Sequence, residues 1–277
     1  MAILVITYEF GSNAEEIGHA IEKQLGYEYL ALGSILKEAT QSGIKWERFG
    51  MEYGDAMPNI WERYDWSFIG YMALVQSIIL DHALKDNVVI MAKGANYLLR
   101  GIPHALSVRV VAPLEDRIRR VMIKQHTNWE KASYLVKQAD REITANIRQV
   151  YGEKWENPDA YEIKFDMSIQ NIDQIGEVLR SFIMAKNNLK TQEGQHWLEM
   201  KALAARVKAA IFTNPSILIP TLEVEAGRDG IVMRGIARSI REHRHIDEEV
   251  KNICKGIPVT CEIHYRGVKS FKPHRLI

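Results

Sequence analysis

The stretch AILVITYEFGSNAEEIGHAIEKQLG, residues 2–26, constrains the fold of this chain more than any other. ILVIT is a short, unbroken, β-branched run, the pattern of a strand buried on both faces. Residues 13–25 then place Ile17, Ala20, Ile21 and Leu25 on one face of a helix, and Gly26 stands where a helix stops. Gly11 turns the chain between the two. Strand, glycine turn and helix form a frame in which free N–H groups and the helix dipole face an anion.

The pattern continues to residue 186. Strands are predicted over 87–94 and 105–113, with a fourth within 161–171. Helices are predicted over 32–43, 66–86, 129–155 and 172–186, with others after Lys93 and after Pro113. Alternating strands and helices predict an α/β domain, a parallel sheet covered by helices on both faces. Beyond 187 the order changes. A helix over 198–212 precedes TLEVEAGRDGIVMRG, which reads strand–turn–strand around Gly227 and Gly230. A helix over 237–254 and a strand over 258–265 complete a small α+β unit. The expected organisation is therefore a domain over 1–187, a linker over 188–200 and a second domain over 201–277. Charge follows this division: residues 188–277 carry 15 Lys+Arg against 10 Asp+Glu, although the whole chain has a net charge of only +1.

That near-neutral balance gives no field for nucleic acid. The N-terminus lacks the basic and cleavage regions of a signal peptide, and no apolar run approaches the roughly 20 residues that span a bilayer. A cytoplasmic protein is expected. Cys254 and Cys261 have neither metal-site nor disulfide-framework spacing and read as buried thiols. In EHRHID, His243 and His245 lie two apart with Asp247 beyond, which reads as a solvated helix without a metal site. Trp46, Tyr53, Trp61, Tyr64 and Trp66 read as packing of a capping segment over 44–66, with a base-stacking platform as the alternative. Trp155, Pro158 and Tyr161 read as a structural lock. The tail cations Arg266, Lys269, Lys272 and Arg275 read as a disordered basic tail, with a protein or anionic-lipid partner as the alternative.

The ordered segments VITYEFGSNAEEIG, VVIMAKGANYLLR, VRVVAPLEDRIRRVM and YGEKWENPDAYEIKF resemble the cytidylate-kinase-like branch of the P-loop nucleoside monophosphate kinases, over about residues 1–186. The resemblance implies a three-layer P-loop kinase-like fold, a nucleotide cleft at the carboxyl ends of the strands, and ATP with Mg²⁺ as cofactors. Residues 198–268 resemble a BON domain in element order and in GIVMRGIA. Such modules are proposed to contact proteins or membranes.

Within this family, the loop departs from its usual chemistry. Gly11, Ser12, Asn13, Ala14, Glu15 and Glu16 would hold the phosphates. The lysine slot of an ordinary monophosphate kinase falls on Ala14, and the slot for the Mg²⁺-binding hydroxyl on Glu16. The branch usually writes the loop near SREFGSGGREIG. Here Tyr8 and Glu15 replace arginines, and Asn13 and Ala14 replace glycines. Ser12-Asn13-Ala14-Glu15 also spells a capping box, in which Glu15 would supply the loop with its own anion. A carboxylate about 5 Å from a phosphate charge repels it by about 3 kcal/mol at an effective dielectric of about 20.

Lys93 stands where relatives carry the arginine of a GR pair. Arg117 and Arg120 match a pair near the nucleotide, or else belong to a solvated helix face. Asp140 and Arg141 match the lid, where Ala139, Ile143 and Asn146 occupy slots for charged or tyrosine side chains and Arg148 could substitute. These residues imply a kinase-like protein with a degenerate loop, weak or absent catalysis, and a nucleotide-sensing, regulatory or scaffolding role. The alternatives are an active kinase acting on CMP, dCMP or a related acceptor, with Lys93, Arg117, Arg120, Asp140 and Arg141 as its catalytic set, and a lipid- or protein-binding role for the second domain, with the first as a dimerisation platform.

Overall fold

The structure, a computed structural model, describes residues 1–41, 66–265 and the backbone of 274–276. Trp46, Tyr53, Trp61 and Tyr64, and the tail cations Arg266, Lys269 and Lys272, lie outside the described residues. The chain divides into two compact units.

The first unit is built on a five-stranded, all-parallel sheet. Its strands are β1 (Ile3–Tyr8), β2 (Glu28–Ala31), β3 (Val88–Met91), β4 (Ala105–Val111) and β5 (Ile163–Asp166), in the order β2-β3-β1-β4-β5. The register sets Ile3 beside both Val88 and Ala105. Leu4, Ile6, Leu106 and Val108 belong to one buried cluster with Ile17 and Ile21 of α1 (Ala14–Leu25). Ile175, Leu179 and Ile183 of a late helix (Ile172–Asn187) join the same cluster. Ile3, Val5, Val88 and Ile90 alternate with these residues along the strands and are just as fully buried. This explains the unbroken apolar runs: each strand is covered on both faces. Gly26 ends α1 in the left-handed conformation, its N–H bonded to the carbonyl of Glu22, as expected. β2 escaped the sequence reading, which predicts four strands. It is a four-residue edge strand, EYLA, in which only Leu30 is fully buried, so it gives no apolar run.

The second unit draws on more of the chain than its C-terminal sequence. It includes the ends of two segments read as part of the first domain: residues 38–41 of α2 (Leu32–Gln41) and all of α3 (Trp66–Ala83). Ala73 of α3 shares a buried cluster with Met200, Leu203 and Val207, and the Trp66 ring meets Phe212 edge-on at 4.9 Å. Residues 192–200, expected within a linker, form the first turns of a continuous helix (Gln192–Thr213), and Leu198 and Met200 on it are buried. A four-stranded sheet of order β6-β7-β8-β9 follows: β6 (Glu223–Ala226), β7 (Ile231–Ala237), β8 (Val259–Tyr265) and β9 (His274–Leu276). The β6–β7 turn closes with Gly227 N–H on the Gly230 carbonyl at 2.7 Å. A Cβ at Gly230 would lie 2.1 Å from the Pro258 carbonyl oxygen, so the glycine is required by close approach. A helix over Ile240–Cys254 precedes β8, giving the expected helix–strand–strand–helix–strand order. β9, in a segment read as a tail, pairs antiparallel with β8.

No helix among the described residues is long and apolar enough to cross a membrane.

Candidate functional site

The carboxyl ends of β1, β3 and β4 meet at one edge of the parallel sheet. The loop after β1 sits there. Arg117 and Arg120 flank it from the β4 side, on a helix over Leu114–Lys124, and Lys93 sits on the β3 side.

Gly11 and Asn13 hold the loop in the left-handed conformation, with φ of 81° and 69°. Gly11 permits a close approach, because a Cβ there would lie 2.9 Å from the Arg117 carbonyl oxygen. Asn13 is the helix cap and makes no side-chain capping bond. The predicted capping box is therefore not formed. Ser12 is fully buried, and among the described residues its hydroxyl has no hydrogen-bond partner. Glu15 points elsewhere, to Lys124 Nζ at 2.9 Å, with both side chains exposed. Tertiary context supplied Glu15 with a cation that local sequence could not reveal, so the self-supplied anion is a corrected expectation. Ala14 is buried, and Glu16 is exposed. Ser12 N–H bonds the Glu9 carbonyl. Among the described residues, the N–H groups of Gly11, Asn13, Ala14 and Glu15 make no hydrogen bond.

The loop carbonyls face the arginines. Arg120 Nη1 lies 3.4 Å from the Gly11 carbonyl oxygen and 3.3 Å from that of Ser12, and Arg117 Nη1 lies 3.3 Å from that of Phe10. A planar trans peptide turns each following N–H the opposite way. The N–H groups of Gly11 and Asn13 thus face away from the arginine helix.

Arg117 is buried, which removes the solvated-face reading. Its Nη1 and Nη2 each lie 2.9 Å from an Asp140 carboxylate oxygen, and its Nε lies 3.1 Å from the Ala112 carbonyl and 3.4 Å from Glu9. Asp140 lies on a helix over Trp129–Tyr151. Glu9 also accepts from the Ala112 N–H at 3.2 Å and meets Arg109 at 3.5 Å. Arg109, buried in β4, lies 4.5 Å from the Trp155 ring centroid and 5.5 Å from that of Tyr161. Burial raises the Tyr161 phenol far above its ordinary range, and its hydroxyl donates to the Trp155 carbonyl at 2.9 Å. Trp155 and Tyr161 are structural, as expected. The sequence reading missed Glu9 and Arg109. A charged side chain inside the apolar run VRVV was the available signal, since a buried charge needs a partner.

Leu114, Arg117, Tyr134, Lys137, Asp140 and Arg141 line an open groove of about 440 Å³. The structure thus brings Arg117, Asp140 and Arg141 together and sets Arg120 on the loop. Lys93 lies exposed beyond β3, and Arg148 is exposed at the end of the Asp140 helix. Both are placed apart from this groove's lining.

A sequence model of the cytidylate kinase-like family matches residues 3–169. The chain belongs to the cytidylate kinase-like family. A curated cytidylate kinase from Ignicoccus hospitalis is 20% identical over 186 residues, covering 66% of this chain and all of that protein. An uncharacterised protein from Eubacterium ventriosum shares the fold at a TM-score of 0.52 and 16% identity, over 67% of this chain and 99% of its own. A shikimate kinase from Acinetobacter baumannii aligns more loosely, at a TM-score of 0.39 and 13% identity, over 69% and 96%.

The second unit holds another polar cluster. His243 and Asp247 lie four apart on the Ile240–Cys254 helix and so share a face after all. His243 Nε2 is 3.4 Å from Asp247 Oδ1 and 3.4 Å from Cys261 Sγ on β8. The expectation of a solvated helix holds for His243 no longer, since it is buried. Both cysteines are buried as expected, and burial pushes the Cys254 thiol up to about 11 and the Cys261 thiol up to about 12.

Proposed function

We propose that the first unit binds a nucleotide through its loop and transfers phosphoryl groups weakly or not at all, acting as a nucleotide-sensing, regulatory or scaffolding domain. One observation carries this reading. The two arginines beside the loop are engaged by the protein itself, Arg117 by Asp140 and Glu9 and Arg120 by loop carbonyls, while buried Ala14 stands in the lysine slot. Transferring a phosphoryl group needs cations that meet its charge. Binding needs less. The unbonded N–H groups of Gly11, Asn13, Ala14 and Glu15 suit a phosphate at a helix N-terminus. Glu15, drawn to Lys124, opposes it less than an unpaired carboxylate would. Mg²⁺ would arrive on the nucleotide, since Glu16 replaces the hydroxyl slot.

Titration with fluorescent ATP and a coupled assay with CMP, dCMP and other monophosphates test the reading. ATP binding weaker than about 1 μM with negligible turnover is expected. Robust turnover that Lys93→Ala abolishes would overturn it.

An active kinase is the second reading. It is favoured by the full-length match to a protein named cytidylate kinase and by the groove that gathers Arg117, Asp140 and Arg141. Lys93, Arg120 and Arg148 would then close on the transferred group, and the same assay separates the two. The BON-like reading of the second unit rests on its helix–strand–strand–helix–strand order, and with it goes contact with a protein or an anionic lipid surface. The full chain, compared with variants in which exposed cations of the second unit such as Arg228 and Arg244 become glutamate, tests that role by vesicle or partner association.

A further inference from the structure

We propose that His243, Asp247 and Cys261 form a binding site for a zinc-class divalent cation in the second unit, pinning the Ile240–Cys254 helix to β8. Their three ligand atoms lie within 4.8 Å of one another. Two of the edges, His243 Nε2 to Cys261 Sγ and His243 Nε2 to Asp247 Oδ1, are 3.4 Å. A tetrahedral ion with bonds of about 2.0–2.3 Å holds its ligand atoms about 3.3–3.6 Å apart. The third edge is no longer than 4.8 Å, and turning the Asp247 carboxylate about its χ2 axis changes it.

The connectivity argues for an ion over a thiol nucleophile. In a nucleophile–base–orienter relay, the imidazole uses one ring nitrogen for each neighbour. Here Cys261 and Asp247 both approach Nε2, and Nδ1 is hydrogen-bonded to the Tyr265 hydroxyl instead. Three electron-pair donors converging on one point suit a cation between them. The Tyr265 contact then does what a metal-bound histidine needs from its second nitrogen: it fixes the tautomer and the ring plane. One thiolate, one imidazole and one carboxylate favour Zn²⁺ or Co²⁺ over Mg²⁺ or Ca²⁺, which prefer oxygen. Three protein ligands leave a fourth position for water. Binding releases the Cys261 thiol proton to solvent as the sulfur–metal bond forms. The site lies wholly in the second unit and is independent of the nucleotide reading.

The test uses the full-length chain, stripped with a chelator and titrated with Co²⁺ and then Zn²⁺. One equivalent of Co²⁺ should give the intense visible bands of four-coordinate cobalt and a thiolate-to-cobalt charge-transfer band, both displaced by Zn²⁺. Cys261→Ser should remove the charge-transfer band, and Cys254→Ser should leave it. Asp247→Asn, which keeps the side chain's shape, should weaken Zn²⁺ binding about tenfold or more, and Tyr265→Phe by about 10–100-fold. Absence of a thiolate band, or a band that survives Cys261→Ser or vanishes in Cys254→Ser, overturns the proposal. Should Cys261→Ser fail to fold, unchanged Zn²⁺ affinity in Asp247→Asn and Tyr265→Phe overturns it equally.

Discussion

The loop edge of the first unit and the helix–strand cluster of the second both gather buried polar groups, but with opposite balance. Around the loop the charges match: Glu9 and Asp140 face Arg109 and Arg117, and each carboxylate meets a guanidinium at hydrogen-bond or ion-pair distance. In the second unit, the ligand atoms of His243, Asp247 and Cys261, each able to donate an electron pair, lie within 4.8 Å of one another. Paired opposite charges make structure, whereas electron-pair donors gathered around one point suit a cation. In the first unit, Arg117 is held by Asp140 and Glu9, and Arg120 by loop carbonyls.

Removing a matched charge tests this contrast most severely. Arg117→Ala leaves Asp140 without its bidentate partner and Glu9 with one cation fewer, and should cost the first unit about 3–5 kcal/mol in denaturant unfolding. A loss below about 1 kcal/mol would mean that the arginine is dispensable to the fold and available for ligand chemistry. Arg117→Lys keeps the charge but loses the fork, and should fall between.

The second unit has its own matched pair, which provides the control. Glu242 is buried, accepts from the Leu218 N–H at 2.9 Å and the Arg238 N–H at 2.8 Å, and meets the Arg238 guanidinium at 2.9 Å. Burial alone would raise its carboxyl, but the Arg238 guanidinium and these N–H groups hold it below its ordinary value. Its contribution is therefore present above the unfolded value near 4.3 and is lost as pH falls through the lower folded value. Glu242→Gln should cost about 1–3 kcal/mol at neutral pH and flatten the acid limb of the unfolding profile. An unchanged acid limb would place the acid sensitivity elsewhere.

His104 offers a smaller effect of the same sign in the first unit. It is fully buried, and burial lowers its folded value despite Asp86 at 3.7 Å, which acts the other way. Folding then opposes protonation, so stability is intact above about 6.5 and declines as pH drops below it. His104→Leu should reduce that decline in a pH series of thermal midpoints.

The smallest effect belongs to the exposed pair. Glu15→Gln should alter stability by less than about 1 kcal/mol. If Lys124 already compensates Glu15, ATP affinity should change less than tenfold. A larger gain would restore Glu15 as the loop's resident anion.

Much of the fold was legible because apolar period and turn chemistry are local. ILVIT, NVVIM and ALSVRVV became central strands, and Gly26 capped its helix. β2 was not legible, since a short half-exposed edge strand has little apolar signal. The loop was legible as a frame but not in its bonding: the capping box followed from spacing, yet Lys124, 109 residues away, engages Glu15. Likewise, spacing could have joined His243 to Asp247, but only the fold brings up Cys261.

The sequence by itself determined the element order, the parallel α/β character of the first unit and a loop, EFGSNAEEIG, without a lysine, because each is written in neighbouring residues. Tertiary structure decided that α3 belongs with the second unit, that Arg117 is buried against Asp140, and that His243, Asp247 and Cys261 converge. Those outcomes depend on which distant segments share a core, and hydrophobic burial, being non-directional, records what must be covered without naming what covers it.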